Sequence, residues 1–347
     1  MILSRNLQMD CVHLFEEKYL PGRKQRFLHP ISMKPELARE VMQCLPTGRT
    51  LFRYSKDDYA FHLLRMLGAR ERSIHKLRQT TAGKLLEKPA VKPYLAACAG
   101  GMLEPDVLPE NRFSADERCY RLSLDVWGGE RKYWRWDQVS RNGASLVLQM
   151  NLNRTQTEKL RSCYTSETGD PFRNHLHPVR NGDFPTLAWA RLDFDLETGE
   201  ALIEELQTDL LRDFKSYAEK AYLAKKEGSA TFESRRAEFD AARVIKIWEE
   251  DFSAERAHWQ EAILSAAIRF LVTEIGMKEI YYHTEDTGSY LKRITGTRPP
   301  RSLYTDLPKR FCFDETDEVP QLLSGERNWS RREKAAKEPV RFFKMAV

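Results

Sequence analysis

Several familiar catalytic signatures are missing from this chain of 347 residues. It has no P-loop, GxGxxG, GxSxG or HExxH motif, which removes ordinary nucleotide hydrolases, Rossmann dehydrogenases, serine esterases and zincin proteases from the leading candidates. Its longest apolar run is far shorter than the ~20 residues that a membrane-spanning helix needs. The first residues also lack the basic-then-apolar pattern of a signal peptide. We therefore predict a cytoplasmic protein with no membrane partner.

Paired cysteines are missing as well. The six cysteines lie far apart with no CxxC pair, which favours reduced thiols over a disulfide framework or a structural zinc site. His175 and His177 form an HxH pair, but two histidines at this spacing, without CxxC or HExxH, indicate zinc only weakly. We predict no metal.

Charge is present in both signs but unevenly distributed. Residues 49–92 hold eleven Lys/Arg against four Asp/Glu, and residues 193–258 hold seventeen Asp/Glu against ten Lys/Arg. The basic stretch is therefore either a surface for the phosphate backbone of a nucleic acid or an intramolecular partner of the acidic stretch. The side chains that we assign to nucleic-acid binding, as the alternative function, are Arg70, Arg72, Lys76 and Arg78.

The spacing of apolar residues differs between the N-terminal region and the rest of the chain. Residues 1–110 read as a basic, mostly helical N-terminal region. From about residue 119 the two-residue alternation of half-buried strands begins, and it predicts a meander of about five antiparallel strands, one of them an aromatic strand at 133–136. We place an α+β domain at 111–323, with a helical insertion at 210–258, and a charged C-terminal tail at 324–347.

A second kind of connection follows the meander. The segments 201–209 and 279–284 read as strands, and between them the helix 259–275 has a broad apolar arc typical of packing on a sheet. This spacing allows a right-handed parallel crossover, with a last strand at 310–313. We predict a mixed, mostly antiparallel central sheet.

This order of elements resembles the GNAT acetyltransferase superfamily. The resemblance implies a strand–helix–strand crossover, with acyl-CoA bound where the central strands part. It also implies a glycine-rich loop that presents N–H groups to the pyrophosphate. Between residues 209 and 259 the chain has no Gln/Arg-x-x-Gly-x-Gly/Ala loop, and the only glycine there is Gly228.

A further resemblance is one of sequence and covers residues 187–313. Residues 203–209 read Ile-Glu-Glu-Leu-Gln-Thr-Asp, residues 282–284 read Tyr-His-Thr, and residues 304–308 read Tyr-Thr-Asp-Leu-Pro. This set is similar to a strand–helix–strand unit in large polyvalent phage-encoded proteins. No established activity transfers with it.

The candidate site residues come from these segments. Carboxylates on an interior strand are costly unless paired, and burial would raise their pKa towards the range of a general base. A histidine ends the next strand, and Tyr304 would protonate the leaving thiolate by analogy with GNAT enzymes. We assign catalysis to Glu204, Glu205, His283 and Tyr304, and substrate binding to Gln207, Asp209 and Thr284. The alternatives are that arginines pair the glutamates, that Asp209 caps a helix and that His283 is structural.

Two functions from different classes remain open at this point. The first is transfer of an acyl group from acyl-CoA to an amine on an unknown protein or small molecule. The second is a non-catalytic binding module of phage–host conflict or mobile-element origin, which would use the same cleft or the basic segment 49–92.

Overall fold

The computed structural model describes residues 33, 35–44, 51–109, 114, 116–128, 138–166, 169–172, 174, 177–180, 183–294, 296, 299–326 and 329–347. The aromatic strand predicted at 133–136 lies outside these residues. Within them the chain folds as an α+β protein around a mixed, mostly antiparallel sheet, which confirms the predicted fold class.

Short helices dominate the N-terminal region, as its composition predicts. They are α1 (Pro35–Cys44), α2 (Asp58–Gly68), α3 (Ile74–Arg78), α4 (Gly83–Leu86) and α5 (Lys92–Ala96), followed by 3-10 turns at Ala99–Gly101 and Pro105–Val107. The region also contributes strand β1 (Leu51–Tyr54), which pairs antiparallel with the next strand of the chain. The helical region is therefore part of the sheet and not separate from it.

Eight strands of the described chain form the central sheet. Those before the crossover are β2 (Arg118–Gly128), β3 (Ala144–Asn151), β5 (Thr186–Asp195) and β6 (Glu200–Gln207). Together with β1 they make consecutive antiparallel pairs in the order β1-β2-β3-β5-β6. The alternating segments of the sequence thus form strands where predicted, because each buries an apolar face. Helix α6 (Arg154–Arg161) and the short β4 (Tyr164–Thr165) lie between β3 and β5.

The sheet continues through a long crossover. Helix α7 (Asp209–Lys226), the hairpin β7 (Thr231–Ser234) and β8 (Ala237–Asp240), and helix α8 (Ala241–Lys246) form the insertion. Strands β7, β8 and β4 form a separate small sheet. Helix α9 (Ser253–Arg269) is flanked by π-helical turns at Ile247–Asp251 and Phe270–Ile275, and strand β9 (Glu279–His283) then pairs parallel with β6.

The C-terminal part differs from the sequence prediction. Helix α10 (Glu285–Leu291) and a 3-10 turn (Arg301–Leu303) come next. Residues 310–313, predicted as a strand, are instead the last residue of helix α11 (Asp306–Arg310) and the turn after it. The edge strand β10 (Asp314–Thr316) follows instead. The charged segment after residue 324 also belongs to the fold. It carries helix α13 (Trp329–Ala335), after α12 (Gln321–Ser324), and its strand β11 (Phe342–Ala346) lies between β9 and β10 in the sheet.

The two faces of the sheet are covered unequally. The large core lies on the face that α9 covers, and most of the helix buries its apolar arc there, as its pattern predicts. Gly276 ends this helical stretch with a φ of 82°, a left-handed conformation that glycine adopts without strain. A smaller cluster around Leu202, Tyr281 and Trp329 covers the other face.

Candidate functional site

The ladder between the parallel strands β6 and β9 is short, and we call the place beyond its last pair the parting. Their pairing ends at Ile203 opposite Tyr282, although β6 continues to Gln207. At the same point the pairing of β6 with β5 shifts register, and Glu204 is left out of that ladder as a bulge. Bulges re-aim side chains, and Glu204 of β6 and His283 of β9 lie together at this point.

Glu204 and His283 meet at this parting together with Ser140. The Ser140 N–H and hydroxyl donate to the two carboxylate oxygens of Glu204 at 3.1 and 2.9 Å. His283 Nε2 lies 2.8 Å from Ser140 Oγ and 3.2 Å from Glu204 Oε2. All three residues are buried. The carboxylate and the serine share one ring nitrogen, so this is not a Ser-His-acid triad, in which the acid holds the opposite nitrogen.

The pKa of Glu204 differs from the sequence-based expectation. Burial opposes its ionisation, but the hydrogen bond with His283 and the charges of Arg191 and Lys292 outweigh burial and lower the pKa to about 2. A carboxylate held in this state is a weak proton acceptor at neutral pH. The prediction that desolvation raises this pKa is therefore wrong for Glu204, whose geometry suits positioning His283.

His283 has the opposite character. Burial lowers its pKa below the ordinary 6.5, even though the hydrogen bond to Glu204 raises it, so the imidazole is neutral at neutral pH. Its Nδ1 is buried and has no hydrogen-bond partner in the described part of the chain. With Nε2–H donating to the carboxylate, Nδ1 carries a free lone pair that can accept a proton.

Glu205 has a different partner from its neighbour. Its carboxylate accepts a hydrogen bond from Arg191 at 2.8 Å, and the same guanidinium donates to the carbonyl of Gln138. Arg191 is buried and lies 5.5 Å from the ring of Trp127. The structure thus gives Glu205 the arginine partner considered as its structural alternative, and brings His283 to Glu204.

Lys292 and Tyr304 fill the rest of the parting. The Lys292 ammonium donates to the Glu204 carbonyl at 2.8 Å and lies 5.6 Å from the centre of the Tyr304 ring. Both residues are buried, which lowers the pKa of Lys292 and raises that of Tyr304 far above the ordinary value for tyrosine. The hydroxyls of Tyr304 and Tyr282 are buried without a hydrogen-bond partner among the described residues. Such orphaned groups are rare in native proteins and need an explanation.

The predicted substrate-binding residues separate into two places. Gln207 and Asp209 lie together, with the Gln207 amide 2.7 Å from Asp209 Oδ1. His177 Nδ1 is also 2.7 Å from Asp209 Oδ1, and Trp189 Nε1 donates to Oδ2 at 3.0 Å. Burial opposes ionisation of Asp209, but these partners lower its pKa. Thr284 lies elsewhere, where its hydroxyl caps the N-terminus of α10.

Three of the four residues assigned to nucleic-acid binding contact other residues of the chain. Arg72 lies 3.5 Å from Glu104, and Lys76 lies 3.1 Å from Glu71. Arg70 donates to the backbone carbonyl of the C-terminal Val347, whereas Arg78 is exposed. The acids that neutralise Arg72 and Lys76 come from the N-terminal region itself and not from residues 193–258.

Clustered metal ligands and membrane-spanning helices are both absent from the described residues. In the described ranges no group of three or more His, Cys, Asp or Glu side chains is placed to hold a metal ion, and His175 of the HxH pair lies outside those ranges. None of the helices described combines the length and apolar character needed to cross a membrane.

Several of these residues carry no signal in the sequence. Ser140 is 64 positions from Glu204 and 143 from His283, so only the fold brings them together. Lys292 reads as an ordinary basic residue at a helix end, and Arg191 as one polar position in an apolar strand. Their burial, which only the structure shows, distinguishes them, because buried cations are usually paired or functional.

Known proteins give no further guidance. Comparison of the chain with protein-family models, with curated proteins and with solved structures gives no match. The contacts at the parting of β6 and β9 therefore carry the functional inference.

Proposed function

We propose that this chain transfers an acyl group from acyl-CoA to an amine at the parting of β6 and β9. The observation that carries the proposal is the coincidence of three features: the end of the parallel pairing at Ile203, the bulge at Glu204, and unpaired polar atoms of His283 and Tyr304. The GNAT superfamily, which the sequence resembles, binds its acyl donor at such a parting. The strand order, with β9 and β11 following four antiparallel strand pairs, supports the same reading.

The roles of the residues follow from their ionisation. His283, neutral and unpaired at Nδ1, accepts the proton that the amine loses as its nitrogen attacks the thioester carbonyl. Tyr304, whose hydroxyl stays protonated, gives its proton to the departing thiolate. Glu204 fixes the orientation of His283, and the Lys292 ammonium favours negative charge developing near Tyr304.

Access to the parting needs a local movement. The Lys292 ammonium bonds to the Glu204 carbonyl, so an acyl group that enters between the strands has to displace it. The start of α7 is also unsuited to the pyrophosphate of the donor, because the carboxylate of Asp209 already occupies its first turn. We therefore place the phosphates of the donor away from the N-terminus of α7.

The test measures thiol release from acetyl-CoA with a panel of amines, together with calorimetric binding of acetyl-CoA. Tyr304→Phe should lower turnover about 100-fold, the usual scale of losing a proton donor. Tyr282→Phe is the matched control, since it also removes a buried, unpartnered hydroxyl but should leave turnover unchanged. No binding of acetyl-CoA at millimolar concentration and no thiol release would overturn the proposal.

A second candidate is a binding module without catalysis. It is favoured by the internal contacts of the motif, because Glu205 is paired with Arg191 and Asp209 with His177. If this candidate holds, the chain binds its ligand without turnover, and Tyr304→Phe leaves the affinity unchanged. Loss of thiol release in that variant, with binding retained, favours the transferase.

A further inference from the structure

An arginine-lined pocket opens beside the buried cluster. Its volume is about 470 Å³, which is within the usual range of small-molecule sites. Its walls come from residues 139–142, the end of α10 and helix α13. Ser140, which hydrogen-bonds to both Glu204 and His283, contributes to the lining. The pocket therefore reaches the cluster that the proposed chemistry uses.

Positive charge is concentrated in the lining. Arg293, Arg331 and Arg332 line the pocket, against the single carboxylate of Glu326. A fourth arginine, Arg141, is already neutralised by Asp193 at 2.6 Å. Within the part of the chain that the structure describes, none of the first three forms an ion pair with a carboxylate. The positive charge of the pocket is therefore largely uncompensated.

Arg332 is a partly buried arginine of the lining, close enough to Arg293 for the two charges to interact. Its guanidinium is half-buried and donates to the carbonyls of Ser140 and Leu291, the latter at 2.7 Å. Burial is the main cause that lowers the pKa of Arg332, and the charge of Arg293 lowers it further. Like charges this close repel, so an anion bound in the pocket would be stabilised.

Arg293 also occupies an unusual backbone position. It follows α10 with a φ of 55°, in the left-handed region that an arginine adopts at a cost of about 1 kcal/mol. Glycine is the usual residue at such a helix end. The chain thus places a charged side chain on the rim of the pocket at a position where a glycine would be less strained.

We propose that this pocket binds a small molecule bearing a phosphate group, held by Arg293 and Arg331. Two guanidiniums match a phosphate better than a carboxylate, because a phosphate monoester carries up to two negative charges and three acceptor oxygens for their N–H groups. The binding site stands independently of acyl transfer. Identifying its ligand as the acyl acceptor, a phosphate-bearing amine, rests on the proposed function.

The test titrates the full chain with phosphoethanolamine, inorganic phosphate and glutarate by calorimetry at low salt, without any acyl donor. Phosphoethanolamine and phosphate should bind at least tenfold more tightly than glutarate. The double variant Arg293→Gln/Arg331→Gln should weaken phosphate binding at least tenfold. Arg78→Gln, an exposed arginine elsewhere, is the matched control and should change it less than twofold.

Two results would overturn this inference. One is the absence of phosphate binding by a folded wild-type chain. The other is an equal loss of affinity in the Arg293→Gln/Arg331→Gln and Arg78→Gln variants, which would indicate only a general effect of net charge. Because no acyl donor is present, a failure of acyl transfer leaves this measurement unaffected. Conversely, thiol release from acetyl-CoA with phosphate-free amines would support the transferase even if the pocket binds no phosphate.

Discussion

Replacing Glu204 with glutamine tests the electrostatics of the buried cluster directly. Glutamine has nearly the same shape, and its single amide oxygen can still accept one of the two hydrogen bonds that Ser140 donates. It cannot carry the negative charge that His283, Arg191 and Lys292 stabilise. The difference in stability between wild type and variant therefore reports the ionisation of this one carboxyl group.

The magnitude follows from the pKa of Glu204. Its folded value of about 2 lies below the ordinary 4.5, so the unfolded chain binds the proton more readily than the folded chain does. A group with a depressed folded pKa stabilises the fold above its unfolded pKa and loses that contribution as the pH falls towards the folded value. A difference of about 2.5 pH units corresponds to about 3 kcal/mol at pH 7, falling to about 1 kcal/mol at pH 3.

The assay is urea unfolding of wild type and Glu204→Gln from pH 7 down to the lowest pH at which both fold. Other buried carboxyl groups, such as Glu200 and Glu255, have raised pKa values and act in the opposite direction. They are common to both proteins, so they cancel in the difference. A gap of about 3 kcal/mol that shrinks on acidification is expected. A gap that stays constant or widens would refute the assignment of a buried, ionised Glu204.

Three further changes test other parts of the structure. Wild type should lose up to about 1.4 kcal/mol of stability per pH unit below pH 6.5, because only the unfolded histidine takes up a proton there. His283→Gln should abolish this loss. The same pH dependence of urea unfolding in both proteins would contradict the prediction. Gly276→Ala should lower the free energy of unfolding by about 1 kcal/mol through its φ of 82° alone, since an added Cβ meets no atom within 4 Å; an unchanged melting temperature would count against it. Arg191→Met should lower the free energy of unfolding by about 3 kcal/mol because it leaves Glu205 unpaired. Adding Glu205→Leu should restore most of that loss in a double-mutant cycle. Strictly additive losses would show that the pair is not coupled.

The acceptor side of the proposed reaction and the arginine-lined pocket are joined through Ser140. This residue hydrogen-bonds to His283 on one side and lines the pocket on the other. A ligand whose phosphate lies between Arg293 and Arg331 would therefore approach His283 from its Nε2 side, opposite the Nδ1 atom proposed as the proton acceptor.

Local sequence patterns were sufficient for most of the sheet. The alternation in residues 120–126 predicts β2, because a half-buried strand exposes every second side chain, and the segment 201–209 reads as the strand that forms β6. The apolar arc of 259–275 predicts a helix on the sheet, and the length of the crossover predicts that β9 runs parallel to β6. The failures come late in the chain. The strand β11 is short and is preceded by charged residues, so its place in the sheet depends on a partner about 60 residues earlier and on no pattern of its own.

The candidate site shows the same division between local and long-range information. The sequence by itself indicated that Glu204 lies on one central strand and that His283 ends another, because periodicity shows where strands lie, whereas the role of Tyr304 came only from the resemblance to GNAT enzymes. Only the tertiary structure decided that Glu204 leaves the ladder as a bulge, that Ser140 and Lys292 surround it, and that its pKa falls instead of rising. The physical reason is that ionisation depends on charges within a few ångströms, and those neighbours come from segments far apart in the chain.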